Sequence, residues 1–500
     1  MLGLALAVVL TATLVPVGAD AREDPRPAPE RAAVVGATGI GDPYWPLDGN
    51  GGLDVRHYDV AVRYDLDTGR LSGTTTLRVR PTADLSRFGL DLLLPVSAVS
   101  VDGEPAAFSK PDRHELRITP AAPLVRGADV DVVVRYAGEP GAIAYAGESR
   151  WLEGADEVVT VGQPHMAPWW FAANDHPRDK ATFDITVTGP ADYQVVSNGL
   201  PVRRTVSGPE ATTHWRSKHP MTTYGAFFAL GRYDVEQTSR GGLPSYVAVS
   251  RSLPSSERAR AATSLRRSAA ITAWLETRLG PYPFESTGGL ATSQRVGYAL
   301  ENQTRPVYPG VPPRGLLVHE LAHQWFGDSV SLQRWRDIWL NEGFATFMEV
   351  AYAERHGGPS AQQWLRGARE DQVGSRWFWR VDVTDPGAGR IFDPAVYQRG
   401  AMTLQALRDE VGDDAFFTIV RGWATDRADG SVTTDEFVDY AEGVAGGAAF
   451  AGAAEGAAGA AAAGAAAGAG AAAEADEESA ADDFLPGASD VLFSLRESLR

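Results

Sequence analysis

His319-Glu320-Leu321-Ala322-His323-Gln324-Trp325-Phe326-Gly327 is the stretch from which the rest of the chain can be read. It contains His-Glu-x-x-His. On a helix, residues i and i+4 lie one turn apart on one face, so the His319 and His323 imidazoles can both reach one zinc ion. Glu320 sits between them and can reach a water on the open side of the metal, as a general base. A hydrolytic zinc site takes three protein ligands and leaves one position for water. The third candidate is Glu342, in Trp339-Leu340-Asn341-Glu342-Gly343-Phe344-Ala345. Residues 324–341, eighteen in all, separate it from His323. That gap fits the end of one helix, a connection through Gly327 and a second helix laid beside the first. Two His and one Glu form a hydrolytic ligand set, not the closed Cys-rich set of a structural site.

His-Glu-x-x-His alone is short and arises by chance. Here the apolar run Gly315-Leu316-Leu317-Val318 leads into it, as a helix buried along one side requires. Glu342 sits in an apolar helical stretch of its own. Together these features favour the metal site over the coincidence.

With His-Glu-Leu-Ala-His-Gln-Trp-Phe-Gly followed by Trp-Leu-Asn-Glu-Gly-Phe-Ala, the chain resembles the aminopeptidase N family of zinc metallopeptidases, from about Leu53 to about Val444. The resemblance implies an α+β multidomain fold. An N-terminal all-β saddle-like sandwich domain would precede a mostly α-helical, thermolysin-like catalytic domain. It also implies one Zn2+ per chain and peptide substrates with a free N-terminus.

Gly297-Tyr298-Ala299-Leu300-Glu301-Asn302 resembles the family's Gly-Ala-Met-Glu-Asn motif. Ala299, Glu301 and Asn302 match, Leu300 replaces Met, and Tyr298 stands where Gly is usual. By that match Glu301 pairs with the substrate's α-ammonium, and Ala299 lies on an edge beside the substrate as an added strand would. Gln163 stands where relatives carry a Gln that helps hold the same amino end. Tyr397-Gln398-Arg399-Gly400-Ala401 matches Tyr-x-Lys/Arg-Gly-Ala, whose tyrosine donates its hydroxyl to the oxyanion of the scissile carbonyl. The alternatives are an endopeptidase or an epoxide hydrolase on the same zinc site, or a non-catalytic binding scaffold. A scaffold is expected to have lost a ligand or Glu320, and here all are present. Many relatives continue into a large helical domain, which this chain is expected to lack, leaving a more open cleft.

Five hundred residues predict two or three domains. The formal net charge of −18 argues against nucleic acid as a partner. Without cysteine, no disulfide, thiol nucleophile or Cys-ligated metal is possible. Lysine occurs only at 110, 180 and 218, which reads as the composition of a high-GC, actinobacterial genome. Met1 to Ala21 reads as a secretory signal, with an apolar run from Leu2 to Val17 and the small-x-small site Ala19-Asp20-Ala21, although no Lys or Arg precedes the run. The run is short for a membrane span, and no Cys near the cleavage point offers a lipid anchor.

Residues 22–50, rich in Pro, Gly and Ala, read as a linker. From Leu53 short alternating strands such as Val55 to Tyr64 recur between turn signals, predicting an all-β domain of two packed sheets over 51–245. Trp169 and Trp170 read as core. His165 and His176 read as solvated or hydrogen-bonded, not as ligands. Helical periodicity starts at Ser255, opening a catalytic domain over 246–444. Helices are expected from Ser255 to Leu279, Gln362 to Trp377, Ala395 to Val411 and Phe437 to Val444. Asp337 reads as a helix cap or a partner of the metal ligands. Residues 445–483, Ala/Gly-rich then acidic, read as flexible, with a tail over 484–500.

Overall fold

The alternation from Val55 to Tyr64 becomes the strand Leu53–Asp65, in which Tyr58, Val60, Val62 and Tyr64 are buried while Asp59, Arg63 and Asp65 face solvent. This period of two determines which face of the sheet meets the core. A computed structural model describes residues 32–145, 147 and 151–446. The expectations for 1–21, for 447–483 and for 484–500 lie outside the described residues.

Leu53–Asp65 sits inside an eight-stranded sheet. Its order is Leu200–Ser207, Glu210–Met221, Ala181–Pro190, Leu53–Asp65, Arg70–Pro81, Val130–Gly138, Val96–Val101 and Glu104–Pro105. Neighbours run antiparallel except Ala181–Pro190 beside Leu53–Asp65, which are parallel. Two four-stranded sheets pack with it around one core, so the expected pair of sheets is a set of three. The core's centre is aromatic: Tyr58 stacks on Phe183, and Phe171 meets both edge-on. Trp169 and Trp170 are wholly buried. Each such ring contributes roughly 1.5–3 kcal/mol of burial.

Residues 33–50 are not a linker. Val34–Val35 pairs with Leu85–Asp91. The buried Asp42 carboxylate accepts from the backbone N–H of Tyr44 (2.8 Å) and of Trp335 (2.9 Å), and lies 3.1 Å from His176 Nε2. Pro and Gly shape this stretch without excluding it from the core, because its partners lie far along the chain. His176 is thus buried and hydrogen-bonded, as is His165 on Asp48 at 2.6 Å.

The boundary placed at 245/246 falls inside the strand Leu243–Ser250. With its hairpin partner Tyr233–Arg240, this strand joins Thr287–Thr292 and Val307–Pro309 in a separate four-stranded sheet. The β domain's last strand is Phe228–Gly231. The changeover therefore lies just before Tyr233.

Helices follow: α1 Ser255–Leu265, α2 Ser268–Leu279, α3 Arg314–Ala322, α4 Trp339–Arg355, α5 Ala361–Asp371, α6 Arg376–Arg380, α7 Pro394–Val411 and α8 Asp413–Asp426. The helix expected from Gln362 to Trp377 is broken between α5 and α6, where Gly374 takes φ +82°. A last described helix covers 434–446, so residues 445 and 446 continue it. Thr433 and Glu436 cap its start reciprocally. Asp337 accepts from the backbone N–H and hydroxyl of Thr434, so it caps that helix from across the fold. Among the described residues no helix is long and apolar enough to cross a membrane.

Candidate metal centre

α3 carries His319, and His323 follows as its C-cap, still with helical dihedrals (φ −57°, ψ −23°). Both rings therefore keep the one-turn spacing. Leu317, Val318, Leu321 and Ala322 bury the opposite side of α3 against the helical core. Gly327 then turns the chain at φ +129°. A Cβ there would stand 3.3 Å from His323 Nδ1 and 3.4 Å from Asn341 Nδ2. The turn needs glycine on both counts.

α4 brings Glu342 to the two rings. Its Oε2 lies 3.2 Å from His319 Nε2 and 3.3 Å from His323 Nε2. One ligand atom from each of the three lies within 4.8 Å of the others, and all three residues are buried. The outer nitrogens are already committed. His319 Nδ1 is 2.8 Å from Glu349 Oε1, and His323 Nδ1 is 3.0 Å from the Phe326 carbonyl. A carboxylate and a carbonyl only accept, so each Nδ1 carries a proton; each Nε2 meets the Glu342 carboxylate and is the nitrogen left to offer a lone pair to a metal. Two imidazole nitrogens and a carboxylate oxygen, converging with fixed tautomers, fit a zinc ion.

Glu320 and Glu301 close on the same point, each offering an oxygen within 4.8 Å of His323's ligand nitrogen. Burial pushes the Glu320 carboxyl up to about 8; the two imidazoles oppose this and Glu301 and Glu342 add to it. A cation in the site would draw it down again. Glu342 is held at about 2 by His323 and His319, against a burial that alone would raise it. The Tyr397 ring, on α7, stacks near His319 with centroids 6.0 Å apart. Burial, then the charges of Glu342, Glu301 and Glu320, hold its hydroxyl well above the ordinary range, so it remains a proton donor.

Gln163, from the β domain, donates Nε2–H to Glu301 Oε1 at 2.9 Å, and Tyr224 donates its hydroxyl to the same oxygen at 3.0 Å. Gln324, the residue after His323, donates to the Glu301 carbonyl (3.0 Å) and accepts from the Thr304 N–H (2.7 Å). The helix that carries the two imidazoles thus also carries the Glu301 loop. Ala299 is half-buried one residue before Leu300, which bridges to Val307. Lys180, half-buried, donates to the Asp328 and Ser329 carbonyls at 2.7 Å each and ties the β domain to the loop after α3. The structure so brings together His319, His323, Glu342, Glu320, Glu301, Gln163 and Tyr397. Sequence reasoning missed Glu349, Tyr224 and Gln324. Of these only Gln324 lay inside a recognised string.

Comparison with known proteins gives the same arrangement. The Peptidase family M1 domain matches residues 311–449, and the Peptidase M1 N-terminal domain matches residues 55–224. Tricorn protease-interacting factor F2 of Thermoplasma acidophilum is 25% identical over 417 residues, covering 77% of this chain and 51% of the relative. Human endoplasmic reticulum aminopeptidase 1 is 26% identical over 402 residues, covering 72% and 42%. The chain therefore spans about half the length, or less, of these curated relatives. A crystal structure of an M1 zinc metallopeptidase of Deinococcus radiodurans, a mutant bound to a Tyr-Ser-Ala substrate, superposes with a TM-score of 0.74. It is 29% identical, over 81% of this chain and 94% of that one. With both domains matched in order and the zinc-type donor set assembled between α3 and α4, the chain belongs to the M1 family of peptidases.

Proposed function

We propose that the chain is a zinc-dependent aminopeptidase that hydrolyses the first peptide bond of peptides with a free N-terminus. The observation that carries this reading is Glu301: a buried carboxylate, held by Gln163 and Tyr224, closing one side of the donor set. A carboxylate there is costly to desolvate unless a cation meets it, and a substrate's ammonium is that cation.

His319, His323 and Glu342 would hold the zinc. When bound, the ion supplies Lewis acidity towards a peptide carbonyl and a water. Glu320 takes a proton from the attacking water and returns it to the leaving amine. Tyr397 donates its O–H to the oxyanion that develops at the scissile carbonyl. Glu301, with Gln163, fixes the amino end and so sets the cut one residue in. The backbone at Ala299 runs beside the substrate. The named activities of the relatives, an aminopeptidase and a metallopeptidase crystallised with a tripeptide, agree with this reading.

Glu301→Ala tests it. A charge-assisted bond to the ammonium is worth roughly 1.5–3 kcal/mol, so kcat/KM on amino-acid anilides should fall about ten- to a few-hundred-fold. Zinc content should not change, and rates on N-acetylated peptides should hold or rise. If both substrate types fall in parallel, Glu301 is structural and endopeptidase action becomes the better account.

From the apolar run Leu2 to Val17 and the small-x-small site Ala19-Asp20-Ala21, we also propose that residues 1–21 carry the enzyme out of the cell. The secreted protein should then begin after Ala21 when its N-terminus is read by mass spectrometry. A protein retained in the cell with residues 1–21 intact sinks this part of the proposal.

A further inference from the structure

The β domain holds a second group of ligand-type side chains. Asp91 ends the strand Leu85–Asp91 and stands in register opposite Glu115, which opens the strand Glu115–Thr119. His114 precedes Glu115. The three are 1%, 4% and 3% exposed, and one ligand atom from each lies within 4.8 Å of the others. His114 Nε2 is 3.5 Å from Glu115 Oε1, 3.9 Å from Asp91 Oδ1 and 3.4 Å from the Leu47 carbonyl oxygen.

Two like charges placed directly opposite on neighbouring strands repel, and burial makes this worse. The surroundings give little relief. Asp48, Asp112 and Asp175 are near, and Asp48 is already engaged with His165. Arg117 is the cation whose field reaches Glu115. Independently of the charges, Asp91 Oδ1 and Glu115 Oε1 are sealed from solvent and accept no hydrogen bond. The second oxygen of Asp91 does accept, from the Asp175 N–H at 2.7 Å and from Asn50 Nδ2 at 3.3 Å. The bare oxygens are thus the ones turned towards His114 Nε2. His114 Nδ1 meets the Tyr145 hydroxyl at 2.7 Å, the outer bond that orients a metal-bound imidazole.

We infer that Asp91, His114 and Glu115 bind a second divalent metal ion of the zinc class, distinct from the one at His319, His323 and Glu342. An imidazole with two carboxylates suits zinc or manganese better than calcium, which prefers oxygen alone. Ligand atoms around a tetrahedral zinc lie roughly 3.4 Å apart. The 3.5 and 3.9 Å measured here are close to that and to the 3.2 and 3.3 Å of the Glu342 set. The Leu47 carbonyl, 3.4 Å from His114 Nε2, is placed to serve as a fourth donor, which would make the site closed and structural. It clamps three pieces of chain. Leu47 belongs to the segment carrying Asp42, Asp48 is bonded to His165, and Asp91 holds the N–H of Asp175. His165 and Asp175 lie in the stretch that presents Gln163 to Glu301.

Zinc counted by mass spectrometry in the full chain, loaded with excess zinc and dialysed, tests the site. The wild type should hold about two ions. Glu115→Gln and Glu342→Ala should each hold about one, having lost different ions. Added zinc should raise the melting temperature of Glu342→Ala by several degrees, because an ion that binds only the folded state stabilises it. It should do nothing for the Glu342→Ala/Glu115→Gln double variant. A wild-type count of one that Glu342→Ala abolishes overturns the inference; the two carboxylates then share a proton instead. That count needs no β-domain variant to fold. Failure of the peptidase reading is a separate result, since it concerns the ion lost in Glu342→Ala.

Discussion

Both imidazoles at the proposed reaction centre have an identifiable second partner, and those partners decide what each ring can do. Glu349 and the Phe326 carbonyl take the Nδ1 protons, leaving both Nε2 atoms as ligands. Glu320 takes no part in the donor triad, although it is buried within reach of His323. This separation allows a clean test. Glu320→Gln keeps shape and hydrogen-bonding capacity but cannot accept a proton at neutral pH. Zinc content should stay at the wild-type level while kcat drops by about 10²–10⁴-fold. A variant that keeps more than about a tenth of the wild-type rate would show that another group is the base.

At the scale of elements, the site depends on two helices meeting at glycine. A Cβ on Gly343 of α4 would come within 2.8 Å of the Gly400 Cα of α7, and a Cβ on Gly400 within 2.8 Å of the Gly343 Cα. Both glycines lie in the strings read first, beside Glu342 and three residues after Tyr397. Their close approach lets one helix deliver the third ligand and the other the phenol. Gly400→Ala must force the helices apart, costing about 1–3 kcal/mol. The melting temperature should fall, and kcat should fall with it because Tyr397 moves relative to His319. An unchanged melting temperature and rate would show that the crossing yields without strain. Such strings are legible because one short segment holds both the chemistry and its local geometry. What was not legible depends on partners distant in the chain. Nothing near Tyr224 marks it as the donor to Glu301, 77 residues away. Asp42 was hidden in a Pro- and Gly-rich stretch, yet it bonds residues 134 and 293 positions on. The hairpin Tyr233–Ser250 follows directly on the strands before it, and only its pairing with Thr287–Thr292 assigns it to the second sheet.

For the whole molecule, burial in the β domain raises the carboxyls of Asp175 and Asp179 towards neutrality, and this gives stability a definite slope with pH. Asp179 is the case best separated from the zinc ligands. It is buried just before the strand Ala181–Pro190 and accepts from the Val55 N–H at 3.1 Å and from Asn174 Nδ2. Burial, reinforced by Asp54 and opposed by those bonds, pushes its carboxyl up to about 7. In the unfolded chain an aspartate titrates near 3.9. Between these values the folded state holds a proton that the unfolded state has released. The contribution is therefore full below about pH 4 and is lost as pH rises through about 7, with a span on the order of 4 kcal/mol. Lys180, next in the chain, acts in a separate window. Burial lowers it to about 8, so it affords stability that returns only as pH climbs from about 8 towards the usual lysine value. Measurements from pH 5 to 7.5 therefore stay clear of the lysine, and Asp175 and Glu115, which burial also raises to about 7, are common to the two proteins compared. Asp179→Asn adds a constant cost for the altered hydrogen bonds but no titration. Denaturation midpoints of both proteins, taken at each pH so that zinc and global charge cancel, should converge or cross in favour of the variant as pH rises. Curves that stay parallel across that window would mean that Asp179 is ionised in the folded protein throughout, with Arg178 or solvent compensating for its burial.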